Sequence, residues 1–193
     1  MDSADPLDPS DSWVAIDFET ATRERDSACA LGIATACDGE VVSSGAWLIR
    51  PPGNVYDHWN IRVHGITPDR TAHAPSFAEL WPELRCYLDG SHVLAHNAGF
   101  DISVLRTLIS QHGLETPELH YVCTVKLARR AFPQLQRHRL DVVCAHCGIP
   151  LRHHDATSDA AACANVALRC RDAIGAPSIH AAVSSLGLRP TRL

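Results

Sequence analysis

The run Trp13-Val-Ala-Ile-Asp-Phe-Glu-Thr20 ends in two carboxylates one residue apart, Asp17 and Glu19. Side chains alternate faces along a strand, so Val14, Ile16 and Phe18 point one way while Ala15, Asp17 and Glu19 point the other. Two like charges on one face cost free energy unless a cation lies between them, and hard oxygen ligands suit Mg2+ or Mn2+. Two later blocks also carry acids at the ends of predicted elements. Asp101 closes His96-Asn-Ala-Gly-Phe-Asp101, where a strand turns into a helix, and Asp159 closes His154-Asp-Ala-Thr-Ser-Asp159, at the start of the last helix. Each acid alone has a plainer reading, as a solvated strand end or a carboxylate favoured at a helix N-terminus. His154 adds a side chain whose ordinary pKa suits proton transfer near neutrality; His153 beside it is a rival, and Asp155 reads as an N-cap.

The elements that must position these groups follow from the apolar pattern. Ser27 to Cys37 and Glu40 to Arg50 are strand-like, and Asp38-Gly39 between them is a two-residue hairpin signal. Pro51-Pro52-Gly53-Asn54 then opens a long connection through Val63-His-Gly-Ile-Thr67, and long loops in compact domains are often functional. Ser76-Phe-Ala-Glu79 is a capping box, followed by Phe77, Leu80, Trp81, Leu84 and Leu88 at helical spacing. His92 to Ala95 reads as a short buried strand, and Ile102, Leu105, Leu108 and Ile109 mark a helix closed by Gly113. Tyr121 to Cys123 is a short strand running into a helix over Thr124 to Arg130. Leu140, Val143, Cys144 and Cys147 trace another helix, ended by Gly148, and a last helix spans Ala156 to Ile174. A hairpin followed by alternating strands and helices predicts an α/β fold, a mixed sheet flanked by helices.

With 193 residues, 46% of them hydrophobic, the chain supports one sizeable core. Its net charge of -5 discourages a nucleic-acid reading until the distribution is considered. Asp2, Asp5, Asp8 and Asp11 stand in a leader without Lys or Arg, leaving -1 for the remainder, and cations bound to four further acids would offset their charge. Residues 1–11 are expected to be a disordered acidic leader, 12–175 the working domain and 176–193 a weakly patterned tail. No stretch has the apolar length of a membrane span, and the N-terminus lacks a signal-peptide layout, so the expected location is cytoplasmic, with the eight cysteines reduced. Cys144-Ala-His-Cys147 invites a zinc reading, but both cysteines fall on the apolar face of a helix, which favours packing.

Taken in order, Asp17-Phe-Glu-Thr20, His96 to Asp101 and His154 with Asp159 resemble the three motifs of the DEDDh 3'-5' exonucleases, a DnaQ-like family typified by the proofreading epsilon subunit of bacterial DNA polymerase III. The Val63 to Thr67, Thr124 to Arg129 and Ala160-Ala-Ala segments are also similar to it; Cys123 departs from the Asp that many members carry before the Thr. The resemblance implies a ribonuclease H-like fold and hydrolysis of terminal phosphodiesters with two divalent cations, Mg2+ or Mn2+. It implies that Asp17 bridges both ions, Glu19 and Asp159 complete the nucleophile-side ion, Asp101 holds the leaving-group ion, and His154 is the general base. It also implies that Thr20 meets the 3' hydroxyl while Ile66 and Phe100 wedge against terminal bases, with His64 and Asn97 as further contacts. Lys126, Arg129, Arg130, Arg137 and Arg139, with no acid among residues 123 to 140, form a basic stretch suited to phosphates. The expected partner is a single-stranded or frayed 3' end, DNA favoured, with a DNA polymerase or repair complex as a further candidate. The alternatives are RNase T-like RNA trimming and a silent 3'-end-binding accessory subunit. An oligoribonuclease fits less well, because its Asp-Leu-Glu-Met-Thr-Gly-Leu motif is absent.

Overall fold

Alternation makes the first apolar run a central strand. β1 (Trp13–Thr20) is third in a six-stranded sheet ordered β3-β2-β1-β4-β5-β6. The computed structural model describes residues 11–193, so the leader expected over 1–11 lies outside the described residues except for Asp11. β2 (Ala28–Cys37) and β3 (Glu40–Leu48) pair antiparallel. At their turn Asp38 and Gly39 take φ of 49° and 95°, the positive values that a two-residue hairpin demands. β4 (His92–Ala95) runs parallel to β1, β5 (His120–Cys123) parallel to β4, and β6 (Thr191–Arg192) antiparallel to β5.

The two faces of β1 bury different cores. Val14, Ile16 and Phe18 pack with Leu80, Trp81 and Leu84 of α3 (Phe77–Leu88) and Ile102 and Leu105 of α4 (Gly99–Gln111). The predicted capping box of α3 forms: Ser76 Oγ accepts from the Glu79 N–H while Glu79 accepts from the Ser76 N–H. Trp13 and Ala15 face α5 (Thr124–Ala131), α6 (Leu140–Cys147) and α7 (Ala156–Ala173). Gly32, opposite Asp17 on β2, lets α7 come this close: a Cβ there would stand 1.8 Å from the Ala156 carbonyl oxygen. A strand glycine of this kind marks close backbone approach, and here it seats the first turn of α7 over the acidic end of β1.

Two expectations are corrected. The connection after Asn54 is not bare loop, since it contains α1 (His58–His64) and α2 (Pro68–Thr71). α1 spans only seven residues and buries none of them, so Trp59 and Val63, four apart, are too short a pattern to read as a helix. The weakly patterned 176–193 segment contains α8 (Ile179–Ser185) and β6, and Ile179, Ala182 and Val183 are buried. Asp11, assigned to the leader, is part of this packing, because its carboxylate accepts from the Ile179 N–H at 2.8 Å and from Trp13 Nε1 at 3.0 Å. No disulfide joins the described cysteines, and Cys144 and Cys147 pack in the α5–α7 core. Among the described residues no helix is long and apolar enough to cross a membrane.

Candidate active site

The C-terminal end of β1, the first turn of α4 and the first turn of α7 meet at one end of the sheet. Asp17, Glu19 and Asp159 each point a ligand oxygen there, all within 4.8 Å of one another. Asp101 lies beside this set and is fixed differently: its Oδ1 accepts from the Phe18 N–H at 3.0 Å, tying α4 to β1. Asp159 Oδ2 accepts from the His154 N–H at 2.8 Å, while its Oδ1 is buried and has no hydrogen-bond partner among the described residues. Asp155 caps α7 as predicted, accepting from the Ser158 N–H at 2.9 Å. His154 holds a left-handed φ of 67°, which histidine tolerates better than most residues, and its ring stacks on His153 at 4.0 Å.

Crowding buried acids raises their proton affinity. Asp17 is held well above the ordinary carboxylate range, first by burial and then by Asp101, Glu19 and Asp159. Burial, with repulsion from Asp159 and Asp101, pushes Glu19 up to about 8. Asp101 rises to about 7 through burial, partly opposed by the Phe18 N–H and Arg25, and Asp159 to about 6 through burial, opposed by the His154 N–H. Burial and the neighbouring His153 lower His154, which keeps its ring neutral near pH 7. An all-oxygen donor set with an orphaned buried carboxylate oxygen fits hard divalent cations, which would relieve this repulsion and fill that oxygen.

These acids floor a cleft of about 780 Å³. Thr20, His64, Asn97 and Phe100 line it, whereas Ile66 does not: it is buried among Ala21, Cys29, Ala30 and Ala156, beneath the wall. Apolar surface comes instead from α1, through Trp59, 71% exposed, and Val63, 38% exposed. His64 serves Thr20 as well as the cleft. The Ile66 N–H donates to its Nδ1 at 3.0 Å, so the ring proton sits on Nε2, facing the Thr20 carbonyl at 3.3 Å. Asn60 Nδ2 donates to the same carbonyl at 2.7 Å. Phe100 lies under the Arg25 guanidinium, 4.3 Å from its ring centre.

Of the basic stretch, Arg129, Arg137 and Arg139 line the cleft. Lys126 does not, and Arg130 is turned away, donating to the Leu186 carbonyl at the end of α8 at 2.6 Å. His96 pins the 137–139 segment from below. Its Nε2–H donates to the His138 carbonyl at 2.9 Å, leaving Nδ1 to accept from the Thr124 hydroxyl at 2.9 Å. The spacing of residues 55 to 64 gave no signal for Asn60, and Gly32 was not singled out within the strand-like run from Ser27 to Cys37.

Comparison with known proteins gives a consistent picture. The exonuclease family model RNase_T matches residues 14–167. DNA polymerase III PolC-type proteins of Clostridium perfringens and Thermotoga petrophila are 30% and 33% identical over 161 and 162 residues, covering 81% and 82% of this chain but only 11% and 12% of their own length. The chain thus spans about a tenth of these polymerases. A putative bifunctional exonuclease/endonuclease protein of Mycobacterium tuberculosis is 27% identical over 182 residues, 88% of this chain and 28% of that protein. Among solved structures, the nuclease domain of 3'hExo, a DEDDh family member, bound to rAMP, matches with a TM-score of 0.74 at 18% identity, covering 97% of this chain and 98% of its own. Exonuclease X in complex with 5' overhanging duplex DNA matches with a TM-score of 0.70 at 22% identity, covering 91% and 99%.

Proposed function

This chain belongs to the RNase_T exonuclease family and has its ribonuclease H-like fold, and from that premise we propose that it is a metal-dependent 3'-5' exonuclease releasing nucleoside 5'-monophosphates from DNA ends. The observation that carries the reading is the convergence of Asp17, Glu19 and Asp159 within 4.8 Å on the floor of an open cleft. Asp17, Glu19 and Asp159 would hold one divalent cation and Asp17 with Asp101 a second. Cations bound there supply the positive charge that activates a water and offsets the charge developing on the leaving 3' oxygen.

The chain's own groups do the rest. His154, neutral near pH 7 and anchored through its backbone to Asp159, accepts the proton of the attacking water. Thr20, its carbonyl held by Asn60 and His64, meets the terminal sugar. Trp59, Val63 and Phe100 offer apolar faces to the last bases, a contact that tolerates any sequence. Arg129, Arg137 and Arg139 pair with backbone phosphates along the wall. The PolC-type relatives favour DNA as substrate and a DNA polymerase as partner, with a repair complex as the alternative. RNA trimming is the second reading, favoured by the rAMP-bound fold neighbour.

The test is hydrolysis of 5'-labelled DNA and RNA oligonucleotides side by side, with Mg2+ or Mn2+ and with chelator. A metal-dependent ladder shortening from the 3' end, faster on DNA, is expected. Faster shortening of RNA would move the substrate to the second reading, and no metal-dependent product on either would end the nuclease reading.

A further inference from the structure

Asp159 belongs to two sets of potential ligands. One is the carboxylate set with Asp17 and Glu19; the other is His153, His154 and Asp159, whose ligand atoms also lie within 4.8 Å of one another. The two sets differ in chemistry. The first offers only hard oxygens, suited to Mg2+, whereas two imidazoles and a carboxylate match three-ligand zinc sites that leave a fourth position to solvent. Asp159 is 3% exposed and its Oδ1 is buried without a hydrogen-bond partner among the described residues, which leave this acceptor unfilled. The two rings lie 4.0 Å apart and within 10° of parallel. His153 is exposed at the cleft edge.

Distance does not prohibit closure. With bond lengths of about 2.0–2.1 Å, the donors of a tetrahedral zinc stand about 3.3 Å apart, so ligand atoms at the 4.8 Å limit must close by at most about 1.5 Å, within reach of two imidazole rotations. Imidazole-rich sites also favour Zn2+ over Mg2+ through ligand softness, so excess Mg2+ competes poorly there.

We propose that His153, His154 and Asp159 form an alternative site for Zn2+, whose filling withdraws both the imidazole of His154 and the carboxylate of Asp159 from hydrolysis. Occupancy of the two sets is mutually exclusive because Asp159 serves both. The inhibitory part of this inference rests on the nuclease reading above; the binding part does not.

The experiment titrates Zn2+ calorimetrically into the full chain in excess Mg2+, for the wild type, His153→Ala and His153→Gln, with circular dichroism checking the fold. Both substitutions are expected to weaken one class of Zn2+ binding by roughly tenfold or more. In parallel, Mg2+-supported hydrolysis of a 5'-labelled oligonucleotide, referred to each protein's own Zn2+-free rate, should require roughly tenfold more Zn2+ to be halved in both variants. Equal Zn2+ affinity and equal inhibition in all three proteins would overturn the proposal. So would calorimetric Zn2+ binding that survives His153→Ala and disappears in Asp17→Asn. If no protein hydrolyses the oligonucleotide, the nuclease reading fails by itself and the calorimetric difference still decides the site.

Discussion

Carboxylates stand just before β1 and at its far end, and the two places treat them in opposite ways. Just before the N-terminal end, Asp11 has its lone pairs filled by the protein: Trp13 Nε1 and the Ile179 N–H donate to it, and His180 stands 3.4 Å away. Burial alone would push its carboxyl up, but the hydrogen bonds from His180, Ile179 and Trp13 outweigh it and hold the group below its ordinary value. At the C-terminal end, Asp17 and Glu19 face Asp101 and Asp159, burial and mutual repulsion push them up, and an oxygen of Asp159 has no partner among the described residues. The same side-chain type is thus a structural fastening at one end and an unsatisfied ligand at the other. What separates them is whether protein donors or only other acids surround the carboxylate.

The largest expected effect comes from Asp17→Asn. Turnover should fall by more than the ~10²–10⁴ typical of a missing general base, while the metal-free protein becomes no less stable, because a crowded buried charge has been removed. A turnover assay paired with thermal unfolding in chelator checks both, and near-wild-type turnover would break the contrast. His154→Ala should cost ~10²–10⁴ in turnover with divalent-cation binding retained, which single-turnover kinetics and calorimetry separate.

The two ends should also differ in the sign of their pH dependence. Glu19 moves from an ordinary 4.5 to about 8, and Asp101 and Asp159 from 3.8 to about 7 and about 6, so the folded chain keeps protons that the unfolded chain has released. Their contribution to metal-free stability is full below those ordinary values and is lost as pH rises through the folded ones. Asp11 is lowered, so its contribution is present above 3.8 and lost as pH falls. Unfolding midpoints against pH should therefore decline between about pH 4 and 8 in chelator and flatten with saturating Mg2+. An identical slope in both would contradict the assignment. The smallest effect is Asp11→Ala, expected to cost about 1–3 kcal/mol of stability in denaturant titrations with turnover unchanged.

Much of this contrast was legible in the sequence, and only on one side. The acidic end announces itself because its residues sit at junctions with strong local signals: a period-two apolar run before Asp17, a strand-to-helix switch before Asp101, a capping pattern at Asp155 before Asp159. The Asp11 end does not, because its acceptor is filled by residues nearly 170 positions away and no local pattern encodes that pairing. α1 escaped for a related reason. Two apolar residues in a seven-residue helix are too short a pattern to stand out, so Trp59 and Val63 were hidden in what read as loop, and Ile66, assigned to the cleft by resemblance, turned out to support its wall. Arg130 likewise belonged to a readable basic run, but only its bond to the Leu186 carbonyl shows that it serves α8 rather than the cleft.

The most direct test of the cation-site assignment is Mn2+ binding to the full chain without nucleic acid, measured by calorimetry on the wild type, Asp17→Asn and Asp11→Asn. The account predicts saturable binding in the wild type and Asp11→Asn and its loss in Asp17→Asn. Wild-type binding in Asp17→Asn would contradict it.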